Sequence, residues 1–133
     1  MKLDTERYLA KARRLLSNAK VMLGVGLNED AGREAYLAAF HAAQALIFES
    51  TGKVTKSHKG VHVEFGRLTL DPGAMDSRLR GFLSRGFNLK SVADYEIGPD
   101  ARVSAERARD AIETAGLFVV KLEELISSLA NRP

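Results

Sequence analysis

SAERARDAIETAGLFVVKLEELI, residues Ser104–Ile126, is the stretch that decides the fold. Ala108, Ala111, Ile112, Ala115, Phe118, Val119, Leu122, Leu125 and Ile126, with Leu129 just beyond, recur at spacings of three and four. Only a helix of 3.6 residues per turn puts those positions on one face. At 1.5 Å per residue the element is a rod of roughly 35–40 Å. Ser104 and Arg107 mark its start less cleanly than a Ser-x-x-Glu capping box would, and Pro99 breaks the chain before it.

Working outward, the same period returns. Asp4 is placed to cap a first helix whose stripe is Tyr8, Ala12, Leu15, Leu16, Ala19, Met22 and Leu23, stopped by Gly24 and Gly26. GVG there has no preceding strand and no third glycine, so it reads as a cap and turn and not as a phosphate loop. Asn28 and Asp30 start a second helix, from about Asp30 to Ser50. Its stripe is Tyr36, Ala39, Phe40, Ala43, Leu46 and Ile47, and its alanines allow close approach of another helix. Segment 53–72 is polar and basic, with a short amphipathic piece around His58–Leu70. Asp71 followed by Pro72 suits an N-cap and first helical position. Met75, Leu79, Phe82 and Leu83 then form a third stripe that continues past Gly86 towards Tyr95. No segment alternates with period two, and there is no internal repeat. Long amphipathic helices joined by short connections predict an all-α, up-and-down antiparallel bundle of four main helices plus a short extra one. Residues 1–133 fit one domain.

Composition narrows the function. Of 133 residues none is Cys, which excludes a disulfide scaffold, a thiolate nucleophile and Cys-ligated metal centres. The charged start MKLDTERYLAKARR has no apolar run of the signal-peptide kind, and no stretch approaches a membrane span, so a cytoplasmic protein without a membrane partner is expected. The net charge of +3 is unevenly spread: residues 53–90 hold eight Lys/Arg against three Asp/Glu, a local +5. Such a cluster suits phosphate-bearing partners, and equally a solvated basic face.

Two local patterns carry chemistry. His58 and His62, four apart, share a helix face and could chelate a metal. A hydrolytic zinc site also needs a third ligand and a base, and Lys59 between them opposes a cation, so no metal is expected. In FNLKSVADYEIG one turn gathers Lys90, Asp94 and Tyr95, an ammonium to hold phosphate with a carboxylate and a phenol to orient a hydroxyl or relay a proton. The simpler reading of the same spacing is an i,i+4 Lys–Asp pair beside a packed Tyr, worth about 0.3–0.5 kcal/mol. Paired acids such as Glu123–Glu124 read as solvated faces, and nothing local marks a Ser-His-Asp nucleophile.

The order of three stretches resembles the HEPN family. They are AYLAAFHAAQALIFESTGKVTKSHKGVHVEF (Ala35–Phe65), KSVADYEIG (Lys90–Gly98) and the closing helix. The likeness is to its stand-alone bacterial and archaeal branch, with an alanine-rich second helix, a Thr/Ser-His-Lys-Gly turn and an Arg-x-x-Ala-Asp-Tyr signature. It implies the four-helix bundle already expected and a homodimer. It also implies a minimal nucleotidyltransferase partner in a toxin–antitoxin pair, and no cofactor. Active toxins of the family are metal-independent endoribonucleases whose motif is Arg, a few residues, then His. Here no His follows Arg67, Arg78, Arg80 or Arg85, and Lys90 stands at the signature arginine without its bidentate fork. The expected function is therefore nucleotide or RNA binding through Lys56, His58, Lys59, Arg85 and Lys90. The alternatives are cleavage using Lys90, Asp94 and Tyr95, with Tyr95 or His58 replacing the absent histidine, and a purely structural assembly role.

Overall fold

The computed structural model describes residues 1–71 and 73–132. Among them are six α-helices, one 3₁₀ turn and no strand. Helix α1 is Leu3–Gly24, α2 Asn28–Thr51, α3 His58–Leu68, α4 Ser77–Arg80, α5 Phe82–Tyr95 and α6 Ala105–Ala130, with the 3₁₀ turn at Pro99–Ala101. Helices α4 and α5 are two parts of the third expected element, parted at Gly81. The bundle therefore has four main members, α1, α2, α4/α5 and α6, and α3 is the short extra helix.

Helix α2 is the centre of the molecule, packed against α1, α6, α5 and α3. A single stripe was expected for it. Instead Ala31, Ala35, Ala38, Ala39, Ala42, Ala43 and Ala45 are all fully buried, because neighbours cover it on every side. A helix enclosed all round needs apolar residues all round, and alanine keeps the surrounding axes close. Those alanines are spent inside the bundle, so they lend nothing to self-association.

The ends of the helices differ in detail from the sequence reading. Helix α1 starts at Leu3 with Lys2 as N-cap residue, so Asp4 lies in its first turn and pairs with Arg7 at 3.1 Å. Lys2 is held there by the far end of α2. Its backbone N–H donates to Glu49 Oε1 at 3.0 Å, and its Nζ donates to the carbonyls of Phe48 and Glu49 at 3.3 and 3.1 Å. Such a cation satisfies carbonyls that a helix C-terminus leaves orphaned. The buried line of α1 is Thr5, Leu9, Ala12 and Ala19, with Tyr8, Leu15, Leu16, Met22 and Leu23 half-buried beside it. Gly26 and Gly52 take φ of 82° and 73° after α1 and α2, a left-handed conformation that glycine adopts without a Cβ penalty.

The Asp71–Pro72 start expected for the third element falls in part on Pro72, outside the described residues. Helix α4 begins at Ser77, with the Asp76 carboxylate accepting from Leu79 N–H at 2.9 Å. Ser104 caps α6 by accepting from Arg107 N–H at 3.0 Å, and Ser57 caps α3 by accepting from Gly60 N–H at 3.0 Å. Ser57→Ala is expected to cost about 1 kcal/mol, as loss of an N-cap does. An unchanged urea midpoint would show that α3 does not depend on this cap.

Candidate functional site

Helix α2 presents Arg33 and Tyr36 one turn apart, α3 presents His58 and His62, and α5 presents Phe87, Lys90 and Asp94. The three helices meet so that Tyr36 Oη lies 2.7 Å from His58 Nδ1 and 2.9 Å from His62 Nε2. Aromatic faces hold this geometry. The His58 ring stacks on Tyr36 at 5.6 Å and lies 4.5 Å from Phe40 and 5.3 Å from Phe87, centroid to centroid. The His62 ring meets Phe87 edge-on at 5.9 Å. Beside it Asp94 is shared by two cations: Arg33 Nε donates to Oδ1 at 2.7 Å and Lys90 Nζ to Oδ2 at 2.5 Å.

The approach of α5 to α2 is possible because residue 86 is glycine. A Cβ there would lie 2.9 Å from Tyr36 Cδ1 and 3.1 Å from Tyr36 Cβ. The loop entering α3 is tied down from α2 as well. Gln44 Nε2 donates to the Thr55 carbonyl at 2.7 Å, so its Oε1 is the atom that accepts from His41 Nδ1–H at 2.6 Å.

Burial and charge set the protonation states. Burial pushes the Tyr36 phenol far above its ordinary value, so it keeps its proton. Burial, and then the Lys90 ammonium, lower His58, against a smaller opposing pull from Asp94. Burial and then His58 lower His62. The Lys90 hydrogen bond, assisted by Arg33 and opposed by burial, holds Asp94 below the usual carboxylate range.

A pH dependence of stability follows. His41, His58 and His62 all titrate lower in the fold than their ordinary 6.5. The unfolded chain therefore takes up protons first as pH falls. Stability should be full above about pH 7 and decline as the pH falls through and below about 6.5. The urea midpoint is expected to be lower at pH 5.0 than at pH 7.5, and the triple His→Gln variant should lose most of that difference. Equal midpoints would mean the three imidazoles titrate alike in both states.

The expected site residues are brought together only in part. Lys90, Asp94 and His58 meet. Lys56 and Lys59 are exposed on either side of His58 at the start of α3. Tyr95 is 74% exposed, and Lys90 Nζ lies 5.6 Å from its ring centroid, so it offers a ring face beside the ammonium. Arg85 does not join them. Its guanidinium donates to the Arg78 carbonyl at 2.6 Å and lines a hollow towards α6 with Arg107, Asp110 and Thr114. Five residues along α5 from Lys90 is about 140° around the helix, which turns it away. His58 and His62 aim one nitrogen each at Tyr36, and among the described residues no three His, Asp or Glu gather as metal ligands. Arg33 and Tyr36 were missed as site residues. Tyr36 sits in the apolar stripe of an alanine-rich helix, where its ring reads as core. Its hydroxyl was the only signal that the position needed a polar partner.

A sequence model of the HEPN domain matches residues 5–125. The chain is 31% identical over 124 residues to a UPF0332 protein of Archaeoglobus fulgidus, covering 93% of this chain and 96% of that one. It is 29% identical over 114 residues to a Methanocaldococcus jannaschii protein named "Putative toxin MJ0605", covering 86% and 82% respectively. The fold is similar to the crystal structure of TT1696 from Thermus thermophilus, with a TM-score of 0.72, 22% identity, and coverage of 90% and 96%. Among the described residues no helix is long and apolar enough to cross a membrane.

Proposed function

The chain belongs to the HEPN domain family, and from that premise we propose that residues 1–133 act as one domain that binds RNA or a nucleotide by its phosphate. In this reading it works in the cytoplasm as a homodimer of the stand-alone branch, with a minimal nucleotidyltransferase partner in a toxin–antitoxin pair. The observation that carries the reading is the group of Lys90, Arg33 and Asp94 beside His58. Two cations share one carboxylate, and Arg33 Nη1 also lies 3.6 Å from Glu34 Oε1, so these four charges balance and it is the field of the surrounding basic segment that favours a phosphate at Lys90. Lys56 and Lys59 add to the same field, and the exposed Tyr95 ring gives a base a surface to stack on.

The test is the salt dependence of binding to a single-stranded oligoribonucleotide. Log affinity should fall against log salt with a slope of about −0.7 per phosphate neutralised. Lys90→Ala should weaken binding and flatten the slope, and Lys90→Arg should keep both. Asp94→Asn, which removes the carboxylate paired with Lys90 while Arg33 keeps Glu34, should tighten binding at low salt. Absence of binding at low salt would reject the reading in favour of an assembly role.

A second reading, RNA cleavage, is favoured by one observation: two imidazoles converge on one phenol next to the proposed phosphate site. The toxin name of the Methanocaldococcus relative supports the same direction.

A further inference from the structure

We propose that His62, Tyr36 and His58 form a single proton relay that cleaves an RNA phosphodiester held at Lys90, with Tyr36 as the relay's positioning residue. This rests on the RNA-binding reading above. The geometry that carries it is one hydroxyl within hydrogen-bond distance of two ring nitrogens of different kinds, Nδ1 of His58 and Nε2 of His62. A phenol has one proton. It donates to one ring and must accept an N–H from the other.

The two nitrogens facing away are thereby made complementary. If Tyr36 donates to His58 Nδ1, His58 carries its proton on Nε2. His62 then gives its Nε2–H to the phenol oxygen, leaving Nδ1 bare. One outer nitrogen is a donor and the other an acceptor. Reversing the phenol exchanges the two roles. In either state both rings are the same tautomer. Among the described residues neither outer nitrogen has a hydrogen-bond partner, and both side chains are partly exposed. The relay needs neutral rings and a neutral phenol, and burial favours all three.

The step then balances. His62 Nδ1 takes the proton of the ribose 2′-hydroxyl while that oxygen bonds to phosphorus. The Nε2 proton of His62 passes to Tyr36 Oη and the phenol proton passes to His58 Nδ1. The Nε2 proton of His58 goes to the 5′-oxygen as its bond to phosphorus breaks. The products are a 2′,3′-cyclic phosphate and a 5′-hydroxyl, and the relay gains one proton and loses one. Lys90 stays on the phosphate, where negative charge develops.

The experiment uses the full chain, excess EDTA and a labelled single-stranded oligoribonucleotide, with binding read by anisotropy and cleavage by end-group analysis. Expected are a 2′,3′-cyclic phosphate product and no cleavage of the all-deoxy strand. Tyr36→Phe keeps the buried ring but removes the transferable proton. It should slow cleavage at least about 100-fold, the lower range for loss of acid–base catalysis, with binding within about twofold. Long-range ¹H–¹⁵N spectra of the unmodified protein should show His58 and His62 in one shared tautomer. Opposite tautomers, or Tyr36→Phe cleaving at the unmodified rate, would overturn the relay. Binding without cleavage by the unmodified protein would also overturn it and leave the phosphate-binding reading standing. Absence of binding would instead overturn that reading.

Discussion

Phe118→Ala is expected to lower the unfolding free energy by about 3–5 kcal/mol, the range for emptying a core aromatic site. Phe118 is fully buried on α6. Its ring lies 5.3 Å from Phe65 of α3 and 6.3 Å from Phe82 of α5, centroid to centroid. Three helices are therefore joined through one side chain, and the hole left by alanine cannot close without moving all of them. A loss of this size is a large share of the roughly 5–15 kcal/mol of a typical domain. Urea denaturation should show the midpoint fall with an unchanged slope. A loss under about 1 kcal/mol would mean that the packing around Phe118 collapses without cost.

Gly86→Val should be the next most damaging change, at about 3 kcal/mol, the upper end of overpacking costs. The first added carbon already falls 2.9 Å from Tyr36 Cδ1, and the two branches add to that clash. Tyr36 is itself fully buried, so its ring has no free space to enter. Val recovers only a few tenths of a kcal/mol of helix propensity over Gly. Gly86→Ala is the informative control, because there a propensity gain of about 1 kcal/mol offsets a smaller clash. In Gly86→Val the displaced Tyr36 should also shift the imidazole resonances of His58 and His62. A stable variant with unmoved imidazole signals would show that α5 can back away from α2 at little cost.

Much of the fold was legible along the chain because helical periodicity is local. The spacing of Ala108 through Leu129 needs no knowledge of any other segment to specify a helix and its inward face. The stops at Gly24–Gly26 and Pro99 act within a few residues of themselves. Where the reading missed, a distant group had intervened. Lys2 takes the cap position of α1 because Glu49 and the carbonyls at the end of α2 hold it. Leu9 is buried although the expected stripe passed over it, because α2 and α6 decide which side of α1 is covered.

The candidate site was legible only as fragments. Lys90 and Asp94 are four residues apart, so a single helix turn brings them together whatever the rest of the chain does. His58 and His62 share a face for the same reason. What joins the fragments is not local: Tyr36 is 22 and 26 residues from the two histidines, and Arg33 is 61 residues from Asp94. Arg85 shows the converse, a basic residue near Lys90 in sequence that the helix turns the other way. By itself the amino-acid sequence determined the helical stretches, the sides of them that seek cover, and an excess of positive charge in residues 53–90. Tertiary structure alone decided that α2 is the enclosed helix and that α3 and α5 close over Tyr36. Periodicity states which face of a helix avoids water, but which other face covers it depends on the fit of all the helices at once.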